Sequence, residues 1–396
     1  RAPQPKEREK ARGGAAAAQL PVPVAQERRA PPKPSRRWGG PRLRPLLFKL
    51  VIGAGIASAA VAMQDKLPRF QQEPATTAGK RQPPLTTAAT APLPPPPAPL
   101  GELKGHKGSV GAVLYTDDGR SIVTTGDDAT IRIWSADTGG LARTIPLEDG
   151  PATSIAVKGT RALTGHADGR VLLWDLDRGD RPTVFKRNEA EIWSVAFTGD
   201  ASHFATASHD WKVALWDAAK TAGPLHVLDG HESAVQAIAF APQLRILASG
   251  SADKTVKLWQ LDTLDLARTY KGHKDFVTAL SFTPDGKVLA SAGLDGSIRL
   301  WSTASSRHIR TLSGHKSRIG GLVFSPAGDM LASAGDDGSV RIWDLKRGRT
   351  ARTLVAHPGS VKSLAFAPDG RRLAAAGDDG VVRIWPVALP LGRAGR

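Results

Sequence analysis

Hydrophobic and polar residues alternate over short segments through most of this chain, and turn sequences separate the segments. Val277–Phe282 alternates, and the turn sequence Thr-Pro-Asp-Gly separates it from the apolar segment Val288–Ala292. Ser297–Trp301 follows a second turn, and a fourth segment lies around His308–Leu312. Alternation with a period of two, bounded by turn residues, predicts β-strands. This unit of about 42 residues therefore predicts four short antiparallel strands.

The same unit recurs along the chain in fixed register. Seven tryptophans follow one another at gaps of 40 to 43 residues: Trp134, Trp174, Trp216, Trp259, Trp301, Trp343 and Trp385. An aspartate stands six residues before each, and a histidine stands 28 residues before five of them: His106, His231, His273, His315 and His357. Repeated units of four short strands predict an all-β, seven-bladed propeller over residues 100–388.

These units resemble the repeats of the WD40 family, which carry Gly-His near the start and Trp-Asp near the end. Gly105-His106 illustrates the first motif, and Trp174-Asp175, Trp216-Asp217 and Trp343-Asp344 carry the second. The dipeptide is Trp-Ser, Trp-Gln or Trp-Pro in the other units, which the family tolerates. The resemblance covers about residues 100–388, and it implies a protein-binding propeller without catalytic activity.

The resemblance also implies a structural hydrogen-bond network of four side chains in a blade. Four units carry the complete set: His106, Thr124, Asp128 and Trp134; His231, Ser249, Asp253 and Trp259; His273, Ser291, Asp295 and Trp301; His315, Ser333, Asp337 and Trp343. A hydrolytic Ser-His-Asp site is the alternative reading, but a nucleophile would be expected once and not in four repeats. Buried polar groups need partners, which favours the structural interpretation.

Three units depart from this pattern. Ala375 takes the place of the serine or threonine in the last unit, so a shortened network is expected there. Pro146 and Asn188 occupy the register of the histidine in the second and third units. We expect those two blades to be less rigid than the others or adapted to another role.

The fragment Leu100–Lys104 resembles the outer strands that precede Gly-His in the later units. Little sequence follows Trp385 that could form a good fourth strand. The first fragment is therefore expected to complete the last blade and close the ring, which leaves no open edge.

The N-terminal region has a different composition. Residues 1–100 carry 17 lysines and arginines against 5 acidic residues, whereas the remainder carries 37 against 32. Residues 1–45 lack sustained periodicity and are predicted to be a disordered basic tail. Residues 64–99, rich in proline, alanine and threonine, are predicted to be a semi-rigid linker, and residues 389–396 a short C-terminal tail.

Residues 46–63 are mostly apolar and carry one charge, that of Lys49. As a helix they would span roughly 27 Å, close to the thickness of a bilayer core, so they predict a single transmembrane helix. A cleaved signal peptide, with Ala60-Val61-Ala62 as its processing site, and a soluble or disordered stretch remain open. The greater positive charge before the segment predicts a cytoplasmic N-terminus and an extracytoplasmic propeller, with secreted or cytoplasmic locations as alternatives.

The residue types argue against several chemistries. The chain has no cysteine, and its ten histidines show no metal-binding spacing. Glycines occur at turns and not in a loop before a helix, so a phosphate-binding loop is not indicated. We expect no catalytic residues, metal or cofactor.

Two tryptophans of the propeller region fall outside the repeat pattern, Trp193 and Trp211. The family resemblance places Trp193 at the top of an inner strand, where partners dock, although it could instead fill space left by the missing histidine. Exposed aromatic side chains often anchor interfaces. Gln236 and Lys362 hold the same register as Trp193. The full set of candidate partner-binding residues is Trp193, His209, Trp211, Gln236, Phe276, Leu294, Arg318 and Lys362.

Three functions are compatible with these features. The first is a membrane-tethered scaffold with a monomeric propeller that recognises a protein or peptide. The second is a sensor module of a larger signalling protein, an expectation prompted by the start at Arg1. The third is binding of nucleic acid or anionic lipid by the basic tail, which is disfavoured because membrane topology already accounts for that charge.

Overall fold

The structure is a computed structural model, and it describes residues 98–148, 150–179, 181–186, 190–242 and 244–387. The predictions for residues 1–45, 46–63, 389–396, Asn188 and nearly all of 64–99 lie outside these ranges. The described residues form no helix. Within them, accordingly, no helix is long and apolar enough to cross a membrane.

The described residues form 28 strands in seven antiparallel sheets of four. The first fourteen are β1 (Gly101–Lys104), β2 (Val110–Tyr115), β3 (Ser121–Gly126), β4 (Thr130–Ser135), β5 (Leu141–Pro146), β6 (Ser154–Lys158), β7 (Arg161–Gly165), β8 (Arg170–Asp175), β9 (Thr183–Lys186), β10 (Ile192–Phe197), β11 (His203–Ser208), β12 (Val213–Asp217), β13 (His226–Leu228) and β14 (Val235–Phe240). The others are β15 (Ile246–Ser251), β16 (Thr255–Gln260), β17 (Leu266–Lys271), β18 (Val277–Phe282), β19 (Val288–Gly293), β20 (Ser297–Ser302), β21 (His308–Ser313), β22 (Ile319–Phe324), β23 (Met330–Gly335), β24 (Ser339–Asp344), β25 (Arg349–Val355), β26 (Val361–Phe366), β27 (Arg372–Gly377) and β28 (Val381–Pro386).

Each sheet is one blade of a propeller, which confirms the predicted seven-bladed fold. Blade 1 is β2–β5, and each later blade takes the next four strands, up to blade 6 (β22–β25). Because neighbouring strands are antiparallel, the loop after the second strand of a blade and the loop after its fourth strand lie at the same end. We call this end the top face, and the opposite end the bottom face.

The last blade is closed by the start of the described chain. β1 pairs antiparallel with β28, so blade 7 consists of β26, β27, β28 and β1. The side chain of Glu102 on β1 accepts a hydrogen bond from Arg383 Nε on β28 at 3.0 Å. The expected closure of the ring by residues near 100–104 is confirmed.

Neighbouring blades share apolar cores and side-chain hydrogen bonds. Trp343 of blade 6, for example, packs into a cluster with Leu312, Ile298 and Ala290 of blade 5. Serine hydroxyls of one inner strand accept hydrogen bonds from the backbone of the next, as Ser363 does from Val113 N at 3.2 Å. These contacts fix the blades relative to one another and so position the loops of the top face.

Arginines on four outer strands lie against the following blade. Arg268 on β17 donates to Ala304 O at 2.7 Å, and Arg310 on β21 donates to Leu345 O at 3.4 Å. Arg352 on β25 donates to Pro386 O at 3.4 Å. Arg143 on β5 lies so close to Gly179 that a Cβ there would meet Arg143 Nη1 at 2.8 Å. These side chains connect the rim of one blade to the next.

Candidate partner-binding site

Four blades bring the predicted sets of four side chains together. In blades 1, 4, 5 and 6 the tryptophan Nε1–H donates to a serine or threonine hydroxyl at 2.8–2.9 Å. That hydroxyl lies 2.7–2.8 Å from the histidine Nε2. The histidine Nδ1 lies 2.7–3.1 Å from the nearer oxygen of the aspartate. The chain of donors fits a neutral imidazole that carries its proton on Nδ1.

The protonation of these groups follows from their surroundings. Burial alone would raise the pKa of Asp128, but hydrogen bonds from His106 and Thr130 outweigh it and lower the pKa to about 2. Burial lowers the pKa of His106 and of His315 below the ordinary histidine value. In blades 1 and 6 the network therefore pairs an ionised carboxylate with an uncharged imidazole at neutral pH.

The hydroxyls in these networks are closed to solvent. Ser249, Ser291, Ser333 and Thr124 are all 0% exposed. A substrate cannot approach a hydroxyl that is fully enclosed between blades, so this geometry gives no nucleophilic site. No group of three or more potential metal ligands occurs in the described ranges.

Blades 2 and 3 have shorter networks. Trp174 donates to Thr164 at 3.0 Å, and Thr164 Oγ1 lies 3.0 Å from His166 Nε2. His166 is 2% exposed and comes from the end of β7, a different position from the histidines of the other blades. The dipeptide Gly165-His166 was the signal that could have identified it. In blade 3 Trp216 donates to Thr206 at 3.1 Å.

Blade 7 lacks the central hydroxyl. His357 Nδ1 lies 2.8 Å from Asp379, while its Nε2 donates to the carbonyl oxygen of Ala375 at 3.2 Å. The indole nitrogen of Trp385 is buried and finds no hydrogen-bond partner among the described residues. This is the blade in which Ala375 predicted a shortened network.

The top face carries most of the candidate partner-binding residues in exposed positions. Trp193, which is 36% exposed, stacks on the exposed ring of His209 with centroids 6.5 Å apart and planes 25° apart. Phe276 and Leu294 of blade 5 are each 37% exposed, and the Leu294 N–H donates to Phe276 O at 2.9 Å. These four side chains, called the apolar arc below, lie on blades 3 and 5.

Local backbone geometry directs Trp193 outward. Pairing between β10 and β11 shifts register between Ile192 and Ser194, so Trp193 is the extra residue of a β-bulge. Gln236 and Lys362 hold the same bulge position in blades 4 and 7. A bulge turns a side chain away from the sheet, which places this residue at the top of the inner strand.

Trp211 is exposed in a strained turn. Its side chain is 50% exposed, and its φ of +75° lies in the left-handed region. Glycine occupies this turn position in four other blades, as Gly169, Gly296, Gly338 and Gly380, all with positive φ. A bulky side chain in this conformation costs roughly 1–3 kcal/mol, which makes Trp211 a candidate for a role outside folding.

The opposite part of the top face is charged. Lys362 pairs with Asp378 at 3.2 Å, and Arg318 is half-buried. Asp127, Asp336 and Asp378 occupy on blades 1, 6 and 7 the register that His209 and Leu294 occupy on blades 3 and 5. These aspartates were not among the surface residues predicted from the sequence, although the register of the repeats locates them.

The fold and the repeated networks define a seven-bladed propeller built from one repeating unit. The chain belongs to the WD40 family, because residues 97–135, 179–217, 222–260, 264–302, 306–344 and 348–386 match the family described as "WD domain, G-beta repeat", more than half of the chain. WD40 propellers are generally non-catalytic scaffolds for protein interactions. The unmatched residues 136–178 include the first three strands of blade 2, in keeping with the missing histidine and the shorter spacing of that unit.

Curated relatives are WD-repeat proteins of diverse kinds. The chain is 32% identical over 169 residues to "WD repeat-containing protein WDS homolog" of Arabidopsis thaliana, covering 40% of this chain and 32% of that protein. It is 26% identical over 157 residues to "Apoptotic protease-activating factor 1" of Rattus norvegicus, covering 40% and 12%. It is 26% identical over 180 residues to "Target of rapamycin complex subunit LST8" of Bos taurus, covering 43% and 55%. The alignments thus span from about an eighth to just over half of these relatives.

Proposed function

We propose that this protein is a non-catalytic scaffold, tethered to a membrane by residues 46–63, whose propeller presents the apolar arc to a protein or peptide partner. The observation that carries the proposal is the exposure of Trp193, Phe276 and Leu294 on one face. Large apolar side chains that lie together on a surface are typical of interfaces, in which aromatic residues supply most of the binding energy. The apolar character of residues 46–63 supports the tether.

The position of the apolar arc suits recognition of an extended segment. On blade 4, between the two larger groups, Ala234 and Ala252 occupy the positions of Phe276 and Leu294, and Gln236 occupies the position of Trp193. Trp193 and His209 on one side and Phe276 and Leu294 on the other therefore flank a lower region of the face. A partner that inserts a side chain there would bury apolar surface on both sides.

Site-specific photocrosslinking tests the docking surface. A benzoylphenylalanine at position 193 or 276 of the full chain should crosslink to one defined partner, and unlabelled protein should compete for it. The matched control is position 244, since Leu244 is 39% exposed in a bottom-face loop of blade 4. Equal crosslinking from positions 193 and 244 would contradict a docking role of the top face.

Fractionation tests the tether separately. Carbonate extraction should leave the full chain in the membrane pellet, and protease added to intact spheroplasts should degrade the propeller. Deletion of residues 46–63 should release the protein into the soluble fraction. Release of the full-length chain by carbonate would contradict the tether and leave the docking surface to be judged by crosslinking.

A further inference from the structure

A hollow of about 500 Å³ opens on the top side of blade 4. Three lysines line it, Lys254, Lys257 and Lys271, together with the Thr269 hydroxyl and the carboxylates of Glu232 and Asp253. Lys254 and Lys271 are exposed, and Lys257 is half-buried with its Nζ donating to Thr269 Oγ1 at 3.3 Å. Blade 4 lies between the two groups of the apolar arc.

Blade 4 has a lysine at the strand position where blades 1, 5, 6 and 7 have an arginine, while blades 2 and 3 have Leu172 and Ala214 there. In blade 1 Arg132 donates to Asp128 at 3.3 Å and to Thr130 at 3.4 Å. Asp253 and Thr255, their counterparts in blade 4, line the hollow, but the residue in register with Arg132 is Lys257. The ammonium of Lys257 points to Thr269, so no guanidinium fills this space in blade 4.

The carboxylate of Asp253 is already satisfied by the protein. It accepts hydrogen bonds from His231 Nδ1 at 2.7 Å and from Glu232 N at 3.1 Å. It also accepts from the hydroxyl and the backbone N–H of Thr255, at 2.7 and 2.8 Å. With these four donors in place, the other charged side chains that line the hollow are those of Lys254, Lys257, Lys271 and Glu232.

Lys254 is held in a strained conformation beside this hollow. Its φ is +68°, at the turn position where Gly296, Gly338 and Gly380 stand in blades 5 to 7. Trp211 occupies the same position in the neighbouring blade 3, also at positive φ. Two adjacent blades thus carry exposed large side chains where glycine would relieve the strain, and strain of this kind is typical of binding sites.

We propose that this hollow binds a carboxylate or phosphate group on a segment of the partner protein, with Lys254, Lys257 and Lys271 as its cationic ligands and Trp211 of the neighbouring blade 3 as an apolar contact of the same segment. The inference rests on the proposed docking function, because it names the chemistry of that partner. Ammonium groups recognise such anions as point charges, without a fixed planar geometry. The partner is therefore expected to carry an acidic or phosphorylated residue next to an apolar one.

Fluorescence anisotropy with the full chain tests this site. The probe is a fluorescein-labelled peptide with a phosphoserine beside a leucine, and its unphosphorylated form is the control. The phosphorylated peptide should bind saturably and at least tenfold more tightly. Lys257→Gln should weaken that binding at least fivefold, whereas Lys346→Gln, which removes an exposed positive charge from a bottom-face loop of blade 6, should leave it unchanged.

Lys254→Gly separates binding from folding. It should weaken binding of the phosphorylated peptide about threefold while raising the melting temperature, because it removes a ligand and relieves strain together. Equal losses in Lys257→Gln and Lys346→Gln would overturn the site, as would binding to phosphatidylserine vesicles without binding to the peptide. Failure of the peptide to bind while Trp193 still crosslinks its partner would remove this inference alone.

Discussion

Blades 2 and 3 are held together differently from blades 4 to 6. Each of blades 4, 5 and 6 has the complete four-residue network and an outer-strand arginine that contacts the next blade. Their outer strands have six or seven residues, whereas β9 and β13 have four and three and contain no arginine. The polar connections therefore weaken in the part of the ring where the outer strands are shortest.

Between blades 2 and 3, aromatic packing takes the place of these polar connections. Phe185 of blade 2 lies edge-on to Phe204 and Trp216 of blade 3, with ring centroids 4.9 and 6.0 Å apart. Phe204 stacks on Trp216 at 5.8 Å, and all three side chains are 0% exposed. Aromatic packing also joins blades 4 and 5, where the rings of Tyr270 and Trp301 lie 5.1 Å apart, but there the hydrogen bond from Arg268 accompanies it. Blade 3, in which the network is reduced, also presents Trp193 and Trp211 on its top face.

Removing the aromatic connection should have the largest effect on stability. Phe185→Ala creates a cavity between blades 2 and 3, and it is expected to lower the free energy of unfolding by about 3–5 kcal/mol. Denaturant unfolding measures the change. Phe276→Ala is the matched control, since Phe276 is 37% exposed and its loss should cost about 0.5 kcal/mol or less. Similar losses in the two variants would show that aromatic packing does not hold these blades.

Removing the central hydroxyl should cost more in blade 5 than in blade 3. Ser291 contacts both His273 and Trp301, so Ser291→Ala leaves two buried groups without their partner and should cost about 2–3 kcal/mol. Thr206 accepts from Trp216, and Thr206→Val should cost about 1–2 kcal/mol. Both are measured by denaturant unfolding. A larger loss of unfolding free energy for Thr206→Val than for Ser291→Ala would contradict the prediction that the hydroxyl matters more in blade 5.

Much of this architecture was predictable from the repeat. The period of the tryptophans located the blades, and the fragment Leu100–Lys104 indicated how the ring closes. Pairing of buried polar groups follows from residue identity, because His, Ser, Asp and Trp recur in one register.

The contacts between blades were not predictable in the same way. The aromatic group of Phe185, Phe204 and Trp216 joins residues of two blades, and the repeat pattern does not indicate which side chains meet across a blade boundary. His166 reaches Thr164 from outside the repeat register. The hollow beside Lys257 depends on where an ammonium points, which the sequence does not specify.

Restoring the missing hydroxyl should give blade 7 the same hydrogen-bond network as blades 4 to 6. In Ala375→Ser the new hydroxyl would lie where Ser291 and Ser333 lie in their blades, within reach of His357 and Trp385. It would give the buried indole N–H an acceptor and should raise the free energy of unfolding by about 0.5–1.5 kcal/mol. Ala375→Val, which fills space without an acceptor, is the control. An increase in the free energy of unfolding in both variants would show that packing, and not the hydroxyl, causes the effect.

Acid should loosen blades 1 and 6 selectively, and this is the smallest of the four effects. His106 and His315 have pKa values below the ordinary value because burial disfavours their charged forms. As the pH falls through about 6.5, the unfolded chain therefore takes up protons that the folded blades do not, and stability present above that pH is lost. Amide hydrogen exchange at pH 7.5 and 5.5, corrected for intrinsic rates, should show protection falling more in β3 and β23 than in β11. His106→Gln should reduce the fall in β3 and leave β23 unaffected, so equal falls in β3 for this variant and the native chain would argue against His106 as the responsible group.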